Sequence, residues 1–171
     1  MQMTFTQAIA GLAGENQRIA LMNACRPIAD RLSSQSINSA ALRIKGGSAS
    51  VTVQTNAAYL GVAKGTLVSK ASATDLPALV GTVVNATFNV FCFFIDGAGN
   101  LTVAMGLAGT TLAKVVFPAI PENKTMIGFV VINPTGTGNF VGGTTLLDDG
   151  TVVPNAVFAN TLGAFDPSIL L

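Results

Sequence analysis

The fold turns on "ATFNVFCFFIDGAGNLTVAM", Ala86–Met105. Successive residues on a strand point to opposite faces. A run apolar at every position, from Phe91 to Ile95, therefore predicts a central strand covered on both sides. "DGAGN" (Asp96–Asn100) follows as a tight glycine-rich turn, and "LTVAM" (Leu101–Met105) as the returning strand. This is the strongest hairpin signal in the chain.

Short strands continue on either side. Towards the N-terminus, "ALRIK" (Ala41–Lys45) ends at Gly46-Gly47, and "SVTVQT" (Ser50–Thr55) sets Val51 and Val53 against Thr52 and Gln54. "AAYLGVA" and "TLVSK" are parted by Lys64-Gly65. Towards the C-terminus, "TLAKVVF" (Thr111–Phe117) is closed by Pro118 and Pro121, and "TMIGFVVI" (Thr125–Ile132) is stopped by "NPTG". Strands at this spacing, with turn chemistry between them, predict a mainly β fold: an antiparallel β-sandwich or barrel, jelly-roll-like, over residues 41–171. Its expected core is Phe88, Val90, Phe91, Phe93, Ile95, Val115, Phe117, Ile127, Phe129 and Val131. Residues 1–40 differ. A glycine-broken arm precedes a short helix from Glu15, with Ile19, Met22, Arg26, Ala29 and Leu32 spaced at three or four residues. Pro27 is expected to kink or split that helix. The apolar stripe is too narrow to make a core alone, so this segment is expected to serve attachment or oligomerisation.

Composition narrows the function classes. Of 171 residues only 10% are charged while 50% are hydrophobic; soluble domains carry roughly 25% charge. A subunit so poor in charge predicts permanent burial of surface against partner chains, as an obligate homo-oligomer. A net charge of +1 without basic clusters excludes nucleic acid as the main partner. The most apolar run, Phe88–Ile95, is far shorter than the roughly 20 residues of a membrane-crossing helix, and "MQMTFTQAIAGLAGENQR" lacks the basic start of a signal peptide. No membrane partner is expected. Cys25 and Cys92 are expected as free buried thiols.

Catalytic chemistry is sparse. The chain has no histidine, which removes Ser-His-Asp and Cys-His catalysis and histidine metal sites. Asp148 and Asp149 are adjacent, so they read as a turn in which Gly150 supplies a positive φ. "GTGNFVGG" (Gly136–Gly143) lacks the Lys and the following helix of a phosphate loop. Lys114, in "TLAKVVF", reads as a lysine snorkelling at a sheet rim. No enzyme activity, cofactor or metal is expected.

Three strings share a style. "F-x-I-D-x-x-G-N-L" runs from Phe93 to Leu101, "A-x-V-x-F-P-x-I-P" from Ala113 to Pro121, and "I-G-F-V-x-I-N-P" from Ile127 to Pro134. Residues 88–158 resemble virion proteins of tailed bacteriophages, of the head-decoration or head-fibre type. The resemblance implies a β-rich structural protein that decorates or cements a capsid, often as a trimer. It would be made in the host cytoplasm and reside on the capsid surface, with the major capsid protein or another virion protein as partner. The alternative from another class is a receptor- or glycan-binding fibre domain, for which Tyr59 is the single tyrosine.

The segment Ile132–Phe158 is too apolar for a linker and too poor in functional groups for a site. It reads as a covering segment whose apolar residues pack on a neighbouring chain. The expected interface combines the helix residues Ile19, Met22, Arg26 and Leu32 with Phe140, Val141, Leu146, Val153 and Phe158 of that segment.

Overall fold

The computed structural model describes residues 14–165; the expected arm before Gly14 lies outside them. α1 (Glu15–Leu32) is one uninterrupted helix. It runs through Pro27, so the expected split does not occur. The strands are, in order, β1 (Gln35–Ser36), β2 (Leu42–Ile44), β3 (Val53–Thr55), β4 (Tyr59–Ala63), β5 (Thr66–Lys70), β6 (Thr82–Val83), β7 (Asn89–Asp96), β8 (Leu101–Met105), β9 (Lys124–Ile132), β10 (Phe140–Val141) and β11 (Val157–Asn160). Every pairing between them is antiparallel.

The hairpin forms as expected. β7 lies inside a four-stranded sheet ordered β11-β9-β7-β8, with Asp96 as the hinge of the turn. Its carboxylate accepts hydrogen bonds from the backbone N–H of Ala98 (2.9 Å) and Asn100 (2.8 Å) and from the Asn100 side-chain amide (3.0 Å). Both faces of β7 are covered, which explains its unbroken apolar run. Phe91, Phe93 and Ile95 enter a large core shared with Val53, Tyr59, Val68, Val83 and Phe140 of the three small sheets, β1-β4-β5, β2-β3 and β6-β10. Val90, Cys92 and Phe94 face the other way, into a smaller cluster closed by Val115, Phe117 and Ile120 of the segment after β8. The result is a mainly β, sandwich-like body whose second layer is three small sheets.

A bulge in β9 adjusts the fit. Phe93 pairs with Gly128 and Phe94 with Met126, so Ile127 is an extra residue that reverses the alternation. Met126, Phe129 and Val131 thereby serve the small cluster, while Ile127, Val130 and Ile132 serve the large one. Gly128 sits at the reversal. A Cβ there would lie 2.4 Å from the Ala159 carbonyl oxygen of β11 and 2.7 Å from Leu42 Cδ1, so the close approach of β11 depends on having no side chain.

Several expectations are corrected. "TLAKVVF" is not a strand. Leu112–Lys114 forms a short 3-10 turn and Lys114 is exposed at its end. The only strand-like pairing in that run is a single bridge from Val116 to Leu107. β3 does not alternate: Val53, Gln54 and Thr55 are all buried, the Gln54 amide oxygen accepting the Gly46 N–H at 2.9 Å. In the expected core, Val90, Phe91, Phe93, Ile95, Val115 and Ile127 are buried, whereas Phe88, Phe117, Phe129 and Val131 are half-buried around the small cluster. Gly150 does not take a positive φ. Asp149 makes the turn instead, its carboxylate accepting the N–H of Thr151 at 2.8 Å. The β body also begins before residue 41, since β1 pairs with β4 and Ala40 is fully buried.

Candidate interaction surface

α1 presents its apolar residues to solvent. No described side chain on it is buried; Ile19, Leu21, Met22, Ile28 and Leu32 are all exposed, as is Arg26. Most helical stability in proteins comes from packing of an amphipathic face, and the described side chains of α1 leave that face open. Its exit is held firmly. The Ser33 carbonyl accepts the Gly65 N–H at 2.8 Å and the Ser34 hydroxyl accepts the Lys64 N–H at 2.9 Å, both at the turn between β4 and β5.

The sheet that follows α1 has an unexpected outer face. In register, Gln35 lies opposite Val62 and Val62 opposite Leu67; the next row inward, Ser36, Gly61 and Val68, is buried. By the same alternation Ile37, Leu60 and Ser69 form the next outward row, with the Ile37 N–H bonded to the Leu60 carbonyl at 2.9 Å. Ser36 bridges Gly163, which puts Leu162 beside Ile37. Ile37, Leu67 and Leu162 are exposed, and Leu60 and Val62 half-buried. Five apolar side chains therefore share one solvent-facing surface just beyond the end of α1. An apolar face of this kind marks an interaction site more often than an ordinary surface does.

The nine expected interface residues separate into three groups. Ile19, Met22, Arg26, Leu32, Val141 and Leu146 are exposed. Phe140 and Val153 are corrected: both are 0% exposed, inside the core of their own chain. β10 explains the difference between neighbours. Phe140 pairs with Val83 and points in, whereas Val141 pairs with Thr82 and points out. Phe158 is half-buried against the same core. The segment Ile132–Phe158 thus covers its own body. Asn85 helps to hold it there: its amide donates to the Gly136 carbonyl at 2.8 Å, and its N–H donates to the Asn139 side-chain oxygen at 2.9 Å.

The groups with chemical potential are engaged structurally. Ser36 and Tyr59, both buried, share a hydrogen bond of 2.8 Å, and the Ser36 hydroxyl donates to the Met126 carbonyl at 2.7 Å. Having one proton, Ser36 must accept from Tyr59. The Thr161 hydroxyl donates to the same Met126 carbonyl. Burial pushes the Tyr59 phenol above its usual range, against the opposing pull of Ser36 and Thr125. Gly61 leaves the room for that phenol, since a Cβ there would lie 2.4 Å from its oxygen. Asp148 accepts the Ala49 N–H at 2.8 Å, which latches its turn onto the loop after β2. The Cys92 thiol is pushed up to about 12 by burial; Cys25, expected to be buried, is half-buried on α1. No group of three or more His, Cys, Asp or Glu gathers among the described residues, and no described helix is long and apolar enough to cross a membrane.

Sequence reasoning missed the outer face of β1-β4-β5 and, on α1, Leu21 and Ile28. Strand register carries the first, and short strands of two and five residues conceal it. The second was visible as the spacing Leu21, Cys25, Ile28, Leu32, beside the competing stripe through Ile19 and Met22. No protein-family model, curated protein or solved structure matches the chain.

Proposed function

We propose that this chain is a structural virion protein of a tailed bacteriophage that decorates or cements the capsid through protein–protein contacts, working as a homotrimer. The observation that carries the reading is the pair of adjoining uncovered apolar surfaces, α1 and the outer face of β1-β4-β5, on a chain with only 10% charged residues. Surfaces of that composition are stable when covered by other subunits. The resemblance of the strings Phe93–Leu101, Ala113–Pro121 and Ile127–Pro134 to phage head proteins supplies the setting, with the major capsid protein or another virion protein as the second partner. A glycan-binding fibre domain draws no support from the aromatics: Tyr59 is buried, and no aromatic side chain is exposed among the described residues.

Electron microscopy of purified particles labelled with an antibody to this chain tests the reading. Label on the head surface is expected. Label confined to a tail fibre, or absent from particles, overturns it.

A further inference from the structure

We propose that the outer edge of β8 is a strand-docking edge, and that the chain's own residues Gln2–Thr6 occupy it as a further, antiparallel strand of the sheet. The Asp96 N–H donates to the Asn100 carbonyl at 3.1 Å and the Gly106 N–H to the Val90 carbonyl at 2.8 Å. These two pairs bracket a β7–β8 register that runs without a shift. Opposed residues of an antiparallel pair are alternately bonded and unbonded. Leu101, Val103 and Met105 therefore aim their N–H and C=O groups away from β7, and no other described residue bonds to them. All five residues of β8 are half-buried, where β7 buries seven of its eight.

The two edges of the sheet are treated differently. At the far edge β2 lies against β11, and the Leu42 N–H donates to the Asn160 side-chain oxygen at 2.9 Å. β8 carries none of the devices that guard a bare edge: it has no charge, no proline and no bulge. An exposed apolar face can be covered by many surfaces. Free N–H and C=O groups at alternate residues are complemented by another extended backbone.

Sequence and reach point to the arm before Gly14. Residues 1–13 carry no charged side chain, as β8 carries none. Within them Met3 and Phe5 alternate with Gln2, Thr4 and Thr6, the period of a strand. The residues after Phe165 fit less well, because Asp166 and Pro167 leave only Ser168–Leu171 to pair with five residues. The exit of α1 lies close to the start of β8. The Gly65 N–H donates to the Ser33 carbonyl at 2.8 Å, and a Cβ on Gly97 would lie 3.4 Å from Thr66 Cβ. The 18 residues of α1 span about 27 Å, and thirteen extended residues span about 43–47 Å. Even with α1 directed straight away from the body, the arm returns along it with about 16–20 Å to spare. β8 is about 17 Å long. An arm returning by that path reaches Leu101 with Thr6 and runs on to Met105, which makes the added strand antiparallel. This inference goes beyond the assembling role proposed above and does not rest on it.

Amide hydrogen exchange, read residue by residue by NMR on the full-length protein, tests it. Leu101, Val103 and Met105 are expected to exchange as slowly as Thr102 and Ala104, whose N–H groups face β7. Deleting residues 2–13, or substituting Thr4→Pro/Phe5→Pro, should speed exchange at the three outward amides at least tenfold and leave Thr102 and Ala104 unchanged. Fast exchange at the three in the full-length chain overturns the proposal, as does protection that survives the deletion. Refolding a ¹⁵N-labelled truncated chain with an excess of unlabelled full-length chain separates the sources. The labelled amides should stay fast; slow exchange there would give the strand to a neighbouring copy and overturn its assignment to the chain's own arm.

Discussion

Phe140→Ala separates a core role from an interface role in one substitution. Phe140 is fully buried and meets Phe91 edge-on, with ring centroids 6.1 Å apart and planes at 64°. Truncating a buried phenylalanine costs about 3–5 kcal/mol, of which the ring pair supplies about 0.5–1.5. For a domain of this size each kcal/mol moves the melting temperature by about 2–4 °C, so a fall of about 6–20 °C is expected. Val141→Ala, one residue along on the outward face, should stay within about 0.5 kcal/mol. Thermal and urea unfolding of both variants provide the measurement. A double-mutant cycle with Phe91→Leu should return a coupling of about 0.5–1.5 kcal/mol. Sedimentation of Phe140→Ala below its melting point should match that of the parent. A loss of under about 1 kcal/mol together with a fall in sedimenting mass would refute the core placement.

Other outcomes follow from local geometry. Gly128→Ala should destabilise by about 1–3 kcal/mol, because its Cβ would meet backbone of β11 and must displace it; hydrogen exchange should show the loosening in Val157–Asn160 first. The Asn100 side-chain amide, then the backbone N–H groups of Asn100 and Ala98 and the nearby Lys124, hold the Asp96 carboxyl below its usual range. That contribution is present above about pH 4, the unfolded value, and is lost as pH falls through the lower folded value. The melting-temperature gap between the parent and Asp96→Ala should therefore narrow below about pH 4. Iodoacetamide at pH 8 should label Cys25 in the native protein and leave Cys92 untouched until denaturant is added, since one thiol is half-buried and the other fully buried.

Much of the fold was legible because β7 announces itself twice, by a run apolar at every position and by a turn that spends an aspartate on three hydrogen bonds. The β9 bulge was not. "TMIGFVVI" has no polar side chain after Thr125, so a reversal of alternation at Ile127–Gly128 leaves no mark in it. "TLAKVVF" has strand propensity, but the body offers it no full ladder, and Val115 is satisfied by packing under β7. Phe140 and Val141 show the limit for surfaces. Both are apolar neighbours, and only the register against Val83 and Thr82 decides which one faces solvent. On α1, two apolar rows overlap, and the spacing that matters was hidden by the one beside it.

The clasp at Ser36 has a consequence for when the molecule is finished. Ser36 and Gly163 exchange both backbone hydrogen bonds, at 3.1 and 2.8 Å, and the side chains of Ser36 and Thr161 converge on one carbonyl in β9. The first strand of the body is thus closed by nearly the last residues described, across a sequence separation that makes closure slow. The two edges of β1 are thus held by parts of the chain far apart in sequence, β4 on one side and Gly163 on the other. Without Gly163, β1 keeps its pairing with β4 on one edge and loses the bridge on the other. Loosening the last described residues therefore frees the outer edge of β1, at the opposite end of the described chain.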